Sequence, residues 1–298
     1  MSLSTTRTRR ASTIAPPATL TALPDLLLEP LVRAALQEDL GRAGDLTSAA
    51  VIPADDTAAF RITARDQGTV AGLDLARLSF TLLDPGIRFT PLVDDGARVA
   101  PGEAVARVEG SARSLLSAER VALNLLGHLS GIATATATIA TAIAHTQARV
   151  CCTRKTTPGL RTVEKYAVRA GGGINHRFGL DDAVLVKDNH IAVAGSVTEA
   201  VRRVRASLPH LVAVEVEVDS LDQLEELLEH PVDAVLLDNM SPETTAEAVR
   251  LVAGRMVTEA SGRITAETAP ALAETGVDLL SAGWITHSAP VLDLGLDH

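Results

Sequence analysis

The second half of the chain is dominated by short apolar runs that alternate with more polar, helix-like segments. Six such runs follow Gln147: ARVCCT, AVLVKD, LVAVEVEV, DAVLLD, RMVTEA and VDLLSAG. Nearly continuous hydrophobicity is expected of strands in a parallel sheet that is covered on both faces. Alternation of such strands with helical segments predicts repeated strand–helix units and an α/β fold.

Polar residues directly after several of these runs mark helix starts. The spacings Ser196–Glu199 and Ser220–Gln223 match a capping box, in which a side-chain oxygen accepts the N–H three residues further on. Ser241 precedes Pro242, which suits the first turn of a helix. We therefore predict that helices begin directly after these three serines.

The first half of the chain has a different pattern. Apolar positions in Pro24–Asp39 recur at helical spacing, whereas from Thr57 onward β-like pieces alternate with turns rich in Gly, Asp and Pro, such as those in Asp94–Val105. This half is typical of a small α+β domain. The turns are similar to those of biotinyl- and lipoyl-carrier domains, but such carriers need a lysine and none occurs before Lys155.

A long apolar segment, Val121–Ala144, lies between the two halves. Its Gly, Ala and Thr content favours a tightly packed core helix over a membrane span. Arg120, Asn124 and His128 recur at four-residue spacing, so they share one helix face. There they either hydrogen-bond within the core or line a cleft.

Polar or charged residues stand where the predicted strands end. They are Arg154 and Lys155, Lys187, Glu217, Asp238, Glu259 with Ser261 and Gly262, and Gly283. The carboxyl ends of parallel strands meet at one mouth in an α/β barrel and at one edge in a doubly wound sheet. Either arrangement predicts an active site built from these residues.

The charge distribution points to an anionic ligand at the same place. The chain has a net charge of −10, yet the segment from Arg149 to His190 holds eight Lys or Arg residues against four acids. All three lysines, Lys155, Lys165 and Lys187, lie within it. A basic island in an acidic protein favours a small anionic substrate over a nucleic acid.

The cysteines and the N-terminal residues indicate the cellular compartment. Cys151 and Cys152 are adjacent, so on a strand they point to opposite faces and a disulfide between them is not expected. They are typical of small buried residues in a reducing, cytoplasmic compartment. Residues 1–23 are rich in Ser, Thr and Arg and are interpreted as a disordered tail rather than a transit peptide. No motif predicts binding to a membrane.

Long motifs then carry a resemblance to a known family. The second half contains TRKTTPGLRTVEKYAVRAGGGINHR, VKDNHI, EVEVDS, LLDN, EASG and THS in this order. With EDLGRAGDLTS, DDGARVAPGEA and ERVALNLLGHLSGIATAT from the first half, the chain resembles quinolinate phosphoribosyltransferases from about Pro24 to His298. The resemblance implies an incomplete, TIM-like α/β barrel (131–287) and an N-terminal α+β sandwich domain (24–130) to which the tail 288–298 returns.

The resemblance also implies an activity and an assembly. Quinolinate and phosphoribosyl pyrophosphate would give nicotinate mononucleotide, pyrophosphate and CO2, with Mg2+, in NAD biosynthesis. The subunits would form a head-to-tail homodimer in which one N-terminal domain covers the partner's barrel mouth. Assembly beyond the dimer is left open.

Roles for individual residues follow from the same resemblance. Arginine matches a carboxylate with two parallel hydrogen bonds, as a dicarboxylate such as quinolinate requires. The residues implied to hold quinolinate are Arg154, His176, Arg177 and Lys187, with Arg120 reaching in from the partner subunit. Lys155 is implied to contact the phosphoribosyl pyrophosphate, and Ser261, Gly262, Gly283 and His287 its 5′-phosphate.

Glu217 and Asp238 complete the implied site. Carboxylates help a transition state that resembles an oxocarbenium ion. The same pair is implied to bind Mg2+, directly or through water or substrate phosphates. The implied catalytic set is Lys155, Lys187, Glu217 and Asp238.

The chain departs from the family pattern at two positions. Arg263 stands where a second glycine is usual, so it either contacts phosphate or points to solvent. Trp284, the only tryptophan, replaces a small residue and is interpreted as packing outside the barrel mouth. The three glycines Gly171–Gly173 either stop a helix or let the backbone approach the substrate.

Three other functions compete with this hypothesis. A Schiff-base aldolase would also use a strand-end lysine, here Lys187. Nicotinate phosphoribosyltransferase, which does not decarboxylate, would need one carboxylate site rather than two. A carrier or binding protein is disfavoured by the missing attachment lysine and by the residues at six strand ends.

Overall fold

The computed structural model describes residues 20–230 and 232–298. Positions 1–19 of the predicted tail lie outside the described residues. In chain order the elements are α1 Asp25–Leu40, α2 Leu46–Val51, β1 Thr57–Ala64, β2 Gly68–Thr69, α3 Leu73–Leu83, β3 Arg88–Pro91, β4 Arg98–Val99, β5 Ala104–Ser111, α4 Ala112–Ala142, β6 Arg149–Cys151, α5 Arg161–Ala170, β7 Val184–Val186, α6 Asp188–Ala194, α7 Val197–Ser207, β8 Val214–Val218, α8 Leu221–Leu228, β9 Ala234–Asp238, α9 Pro242–Val252, β10 Val257–Ser261, α10 Ala269–Ala273, β11 Leu279–Ser281, α11 Trp284–His287 and β12 Leu294–Asp297.

The described chain divides into two compact units. The N-terminal unit comprises residues 20–137, 155–173 and 284–298, and the barrel unit comprises residues 138–154 and 174–283. The predicted ranges 24–130 with 288–298 and 131–287 stay predictions. The compact units differ from them mainly in residues 155–173, which pack with the N-terminal unit.

The barrel unit is built on a sheet of six parallel strands in the order β6-β11-β10-β9-β8-β7. From β7 to β11 each strand lies beside its successor, and the first strand, β6, joins the last one. A doubly wound sheet would reverse direction at a switch point, which this order does not. The sheet is therefore an incomplete α/β barrel, as predicted, with its gap between β6 and β7.

The predicted helix starts of this unit are confirmed. Ser196 accepts the Glu199 N–H at 3.1 Å, Ser220 accepts the Gln223 N–H at 3.3 Å, and Ser241 caps α9. The Glu199 carboxylate does not close a reciprocal box but pairs with Arg202 and Arg203 on the following turn. Apolar strand residues such as Val216 and Val235 pack with these helices in the core of the unit.

The N-terminal unit contains an antiparallel sheet in the order β12-β1-β5-β3. The terminal strand β12 pairs with β1, so that residue 62 lies opposite residue 296. The buried residues between this sheet and helices α3 and α4 are aliphatic apart from Phe80, and Phe60 and Phe89 pack against them at the edge. Each large side chain buried there contributes about 1.5–3 kcal/mol relative to leaving it in water.

Helix α4 spans 31 residues and is long and apolar enough to cross a membrane by composition alone. Its residues Leu115, Ala118 and Leu126 instead lie fully buried in the N-terminal core. At Gly131 the returning tail packs directly against the helix, because a Cβ atom there would lie 2.1 Å from the Pro290 carbonyl oxygen. Glycine is therefore required at this position by close backbone approach.

We expect Gly131→Ala to lower the free energy of unfolding by about 2 kcal/mol or more, because the tail must move to admit the methyl group. The measurement is the midpoint of urea unfolding. Gly86→Ala is the matched control, since its Cβ would meet only the flexible side chain of Asp84 at 3.1 Å. Equal midpoints for the two variants would contradict the tight contact.

Candidate active site

The carboxyl ends of β8, β9 and β10 place Glu217, Asp238 and Ser261 on the inner side of the sheet. The Asp238 carboxylate is held at both oxygens, by the Ser261 hydroxyl at 2.5 Å and by the Asn239 amide at 2.7 Å. The Asn239 N–H in turn donates to the Ser261 carbonyl at 3.0 Å. Asp238 is therefore oriented by contacts from its own unit.

Gly262 follows directly and is required by its surroundings. Its φ of +108° is left-handed, and a Cβ atom would lie 2.2 Å from the Asn239 side-chain oxygen. The next residue, Arg263, is exposed and also adopts a positive φ of +46°. Glycine would adopt this positive φ without strain. This explains why a second glycine is the residue expected at position 263 from the family pattern.

Lys187 faces the same carboxylates from the end of β7. Its Nζ lies 3.4 Å from the Glu217 Oε2. Burial raises the pKa of Glu217 most strongly; the Lys187 charge acts to lower this pKa, and the Asp238 charge raises it further. The Glu217 and Asp238 carboxylates repel each other, and the single charge of Lys187 offsets this repulsion only in part. Two such oxygen ligands are suited to binding a divalent cation.

Arg154 and Arg177 bring two positive charges together in the barrel unit. Burial lowers the pKa of Arg177, and the neighbouring Arg154 charge lowers it further. The Arg177 Nη1 donates to the Ala183 carbonyl at 2.9 Å. The Arg154 Nε is buried and has no hydrogen-bond partner among the described residues. An anionic ligand would relieve both the repulsion and the unused donor.

His176 directly precedes Arg177 in the chain and has both ring nitrogens in contact with protein groups. Its Nδ1 accepts the backbone N–H of Arg177 at 2.7 Å, and its Nε2 lies 2.8 Å from the Glu215 Oε2. A second carboxylate oxygen, Oε1 of Glu259, lies 3.8 Å from the same Nε2. Burial and the nearby Glu215 charge raise the pKa of Glu259 to about 8.

His176, Glu215 and Glu259 have the composition of a metal site, with one ligand atom from each within 4.8 Å of the others. A hydrogen bond already joins Nε2 to Glu215, however, and the raised pKa of Glu259 favours its neutral form. We interpret the cluster as a buried hydrogen-bonded group that shares protons. Glu217 with Asp238 is the better cation site, because both side chains end strands and are partly exposed.

The N-terminal unit holds three of the predicted site residues, Arg120, Lys155 and His287. The Arg120 side chain on α4 is 63% exposed. Its ion pair with Glu119 is long, at 3.8 Å, so the guanidinium is available for other contacts. The Lys155 carbonyl accepts the Thr286 hydroxyl at 2.7 Å. His287 is exposed, and its Nδ1 lies 2.6 Å from the Ser288 hydroxyl.

The loop that carries Lys155 is anchored by Glu164 of α5. The buried Glu164 carboxylate accepts the Thr157 N–H at 3.1 Å and contacts the His128 Nε2 at 2.9 Å. His128 thus has the hydrogen-bonding role, one of the two left open by its sequence. Its neighbour on the same helix face, Asn124, is exposed.

The glycine run acts as a helix stop in the N-terminal unit. The Gly171 N–H donates to the Ala167 carbonyl at 3.0 Å, and Gly172 has a positive φ of +85°. A Cβ atom on Gly171 would lie 2.3 Å from the Ala133 carbonyl oxygen, so this glycine also permits α5 to approach α4.

Comparison with known proteins places the chain in a family. Residues 132–297 match the model of the quinolinate phosphoribosyl transferase C-terminal domain, and residues 45–130 match the model of its N-terminal domain. This chain belongs to the quinolinate phosphoribosyltransferase family. The two domain models together span most of the 298 residues, as the sequence motifs predicted.

Individual members of the family are similar over nearly their whole length. The nicotinate-nucleotide pyrophosphorylase (carboxylating) of Mycobacterium leprae is 46% identical over 89% of this chain and 95% of its own. The probable enzyme of the same name from Bacillus subtilis is 43% identical, over 91% and 93%. The crystal structure of NadC from Streptococcus pyogenes superposes with a TM-score of 0.90 at 43% identity, over 93% and 98%.

Two buried acids of the site, Glu215 and Glu259, were not assigned a role by the sequence analysis. Within β8, valines 214, 216 and 218 pack into the helix-covered core, so Glu215 and Glu217 share the opposite, inner side. The alternating sequence VEVEV indicates that both glutamates lie on one side of the strand. This indication was overlooked because the run as a whole is apolar. Glu259 was noted only as a strand-end residue, and its 2% exposure was not apparent.

We expect Glu259→Gln to gain stability relative to the wild type as the pH rises. With a folded pKa of about 8, against 4.5 for the ordinary group, Glu259 keeps a proton that the unfolded chain releases. Wild-type stability therefore falls as the pH rises from about 4.5 to 8 and is level above, whereas neutral glutamine lacks this loss.

Between pH 6 and 9 the variant's relative gain in unfolding free energy should reach roughly 2 kcal/mol. Urea unfolding at the two pH values measures it. Glu225→Gln, an exposed position on α8, is the control and should follow the wild type. A Glu259→Gln profile parallel to that of the wild type would contradict a buried neutral acid.

Proposed function

We propose that the chain transfers the phosphoribosyl group of phosphoribosyl pyrophosphate to quinolinate, with decarboxylation, through the strand-end residues of the barrel unit. The observation that carries this proposal is the buried Arg154 Nε, which has no hydrogen-bond partner among the described residues, in a guanidinium whose charge lowers the pKa of Arg177. A planar ligand with two adjacent carboxylates supplies the charge and the acceptors that this pair lacks.

Quinolinate binding follows from these contacts. Arg154 and Arg177 hold its carboxylates, and Lys187 adds a third positive charge from the end of β7. His176 has its ring nitrogens engaged by Arg177 and Glu215, so it contributes by forming the floor of the pocket and supporting Arg177. Arg120 completes the pocket from the partner subunit.

The transfer step uses the pyridine nitrogen of quinolinate as the nucleophile. It attacks C1 of the ribose while pyrophosphate leaves, and positive charge develops on the sugar. The Glu217 and Asp238 carboxylates stabilise that charge. The same two residues would hold Mg2+, which would supply positive charge for the departing diphosphate.

Decarboxylation then needs no organic cofactor. Alkylation makes the ring nitrogen cationic, so the electron pair left at C2 when CO2 departs is stabilised by the adjacent positive charge until C2 takes up a proton from water. Lys187, directly after β7, and Arg154, in the loop after β6, assist this step electrostatically in the proposed pose.

Phosphates are held at the remaining positions. Lys155 contacts the phosphoribosyl pyrophosphate from its anchored loop. Ser261, Gly262, Gly283 and His287 form the 5′-phosphate site, where the left-handed Gly262 lets the backbone approach the ligand. Arg263, exposed beside Gly262, extends outward from this site.

The proposal includes a homodimer and a cytoplasmic location. An exposed arginine on the apolar helix α4 is suited to a neighbouring subunit's anionic ligand. Cys151 and Cys152 are buried and are not joined in a disulfide, which fits a reducing compartment.

An aldolase function is less compatible with the surroundings of Lys187. A Schiff-base lysine is activated by apolar surroundings or by another cation. Lys187 instead is 47% exposed and lies beside the Glu217 carboxylate, so it is better suited to holding an anion.

A single-turnover assay with quinolinate labelled in its C2 carboxyl group tests the proposal. We expect CO2 and nicotinate mononucleotide to appear together. Arg154→Ala should raise the KM for quinolinate about 100-fold, since a charge-assisted pair is lost. Glu217→Gln should lower kcat by about 100-fold, because transition-state stabilisation is lost.

Arg250→Ala, an exposed arginine on α9, is the control and should behave as the wild type. Nucleotide formed from nicotinate without CO2 would instead identify a non-decarboxylating enzyme. If Arg154→Ala and Arg250→Ala had the same KM for quinolinate, the assigned carboxylate site would be wrong.

Mixed dimers test the role of Arg120. Arg120→Ala and Lys187→Ala subunits should each be inactive, yet co-expressed together they should recover about a quarter of wild-type activity, because half of the random dimers regain one intact site. Arg154→Ala with Lys187→Ala is the matched control and should recover nothing, since both lesions lie in the same unit. Equal recovery in the two mixtures would rule out a shared site.

A further inference from the structure

The barrel unit buries one cluster that the proposed chemistry does not use directly, the acids Glu215 and Glu259 beside His176. We propose that Glu215 is a positioning residue, which holds His176 in its Nε2–H tautomer and thereby fixes the backbone and guanidinium of Arg177. The proposal rests on the proposed function only where it assigns Arg177 to quinolinate.

The tautomer follows from the hydrogen bonds of the ring. The Nδ1 atom accepts the Arg177 backbone N–H at 2.7 Å, so it presents a lone pair and carries no proton. A fully protonated imidazolium has a proton on each nitrogen and is excluded by the same contact. The ring proton is therefore on Nε2, where the Glu215 Oε2 accepts it at 2.8 Å.

Glu215 is the dominant acceptor at this ring position. Its oxygen lies a full ångström nearer to Nε2 than the Glu259 oxygen, which is 3.8 Å away. Glu259 is only 2% exposed, and its Oε1 has no hydrogen-bond partner among the described residues. Two buried carboxylates at one N–H are not both readily ionised, so the second acid acts as a neutral neighbour.

The next step leads from the ring to the ligand-binding arginine. The Arg177 N–H is bound to His176, and its Nη1 donates to the Ala183 carbonyl at 2.9 Å. Both ends of this residue are thereby fixed. In the other tautomer, two N–H groups would face each other across the 2.7 Å contact, and the segment around Arg177 would have to move.

Three variants of the full-length protein separate this role from simple packing. Glu215→Gln keeps an acceptor oxygen, Glu215→Met keeps the side-chain length but has no such acceptor, and Glu225→Ala is an exposed control on α8. We expect Glu215→Met to raise the KM for quinolinate by about 10- to 100-fold, as for a buried donor left without its acceptor. Its KM for phosphoribosyl pyrophosphate and its kcat should stay within about threefold of the wild type.

Glu215→Gln should restore the KM for quinolinate to within about threefold of the wild type, and Glu225→Ala should leave all constants unchanged. If Glu215→Gln and Glu215→Met lost activity equally, or if both substrates were affected alike, the positioning role would be overturned. A kcat defect with an unchanged KM for quinolinate would overturn it as well.

The tautomer is measured without substrate, by long-range 1H–15N NMR of protein labelled at histidine, with His176→Gln used to assign the signal. We expect the Nε2–H pattern in the wild type and in Glu215→Gln, and its loss in Glu215→Met. The tautomer can be measured even if Arg177 does not bind quinolinate. The positioning role of Glu215 can therefore be disproved independently of the proposed function. A wild-type tautomer pattern in Glu215→Met would overturn the inference.

Discussion

Like charges held close together inside the barrel unit are the constraint on which the site depends. Arg154 lies beside Arg177, Glu217 beside Asp238, and Glu215 beside Glu259. Each pair is unfavourable on its own, because buried like charges repel. A ligand carboxylate, a divalent cation and a proton, respectively, would relieve the three pairs, so the protein's own charges prepare the site for what it binds.

Much of the fold was predictable because burial leaves a simple pattern in the chain. Strands covered on both faces must be apolar, which made the runs of the barrel unit visible, and the serine caps marked where the helices begin. The same rule concealed Glu215, because a single acid within VEVEV is easily taken as a solvated position. Its contact with His176 exists only in the folded chain, where the two residues, 39 positions apart, come together.

The candidate site was predictable where residues end strands, as with Lys187, Glu217 and Asp238. The backbone conformation of the site was less predictable. The sequence shows that Arg263 stands where a glycine is usual, but it does not show that this position has a left-handed φ. The packing of residues 155–173 with the N-terminal unit was also hidden, since it depends on long-range contacts such as that of Gly171 with α4. Periodicity within a segment does not report on partners that are distant in the chain.

The pairing of β1 with β12 has a consequence for synthesis in the cell. Residue 62 meets its partner, residue 296, only after all the residues between them have left the ribosome. Until then β1 presents an unpaired edge, which is an aggregation hazard that nascent chains must avoid. A product truncated before β12 would keep this edge unpaired and would be exposed to quality control.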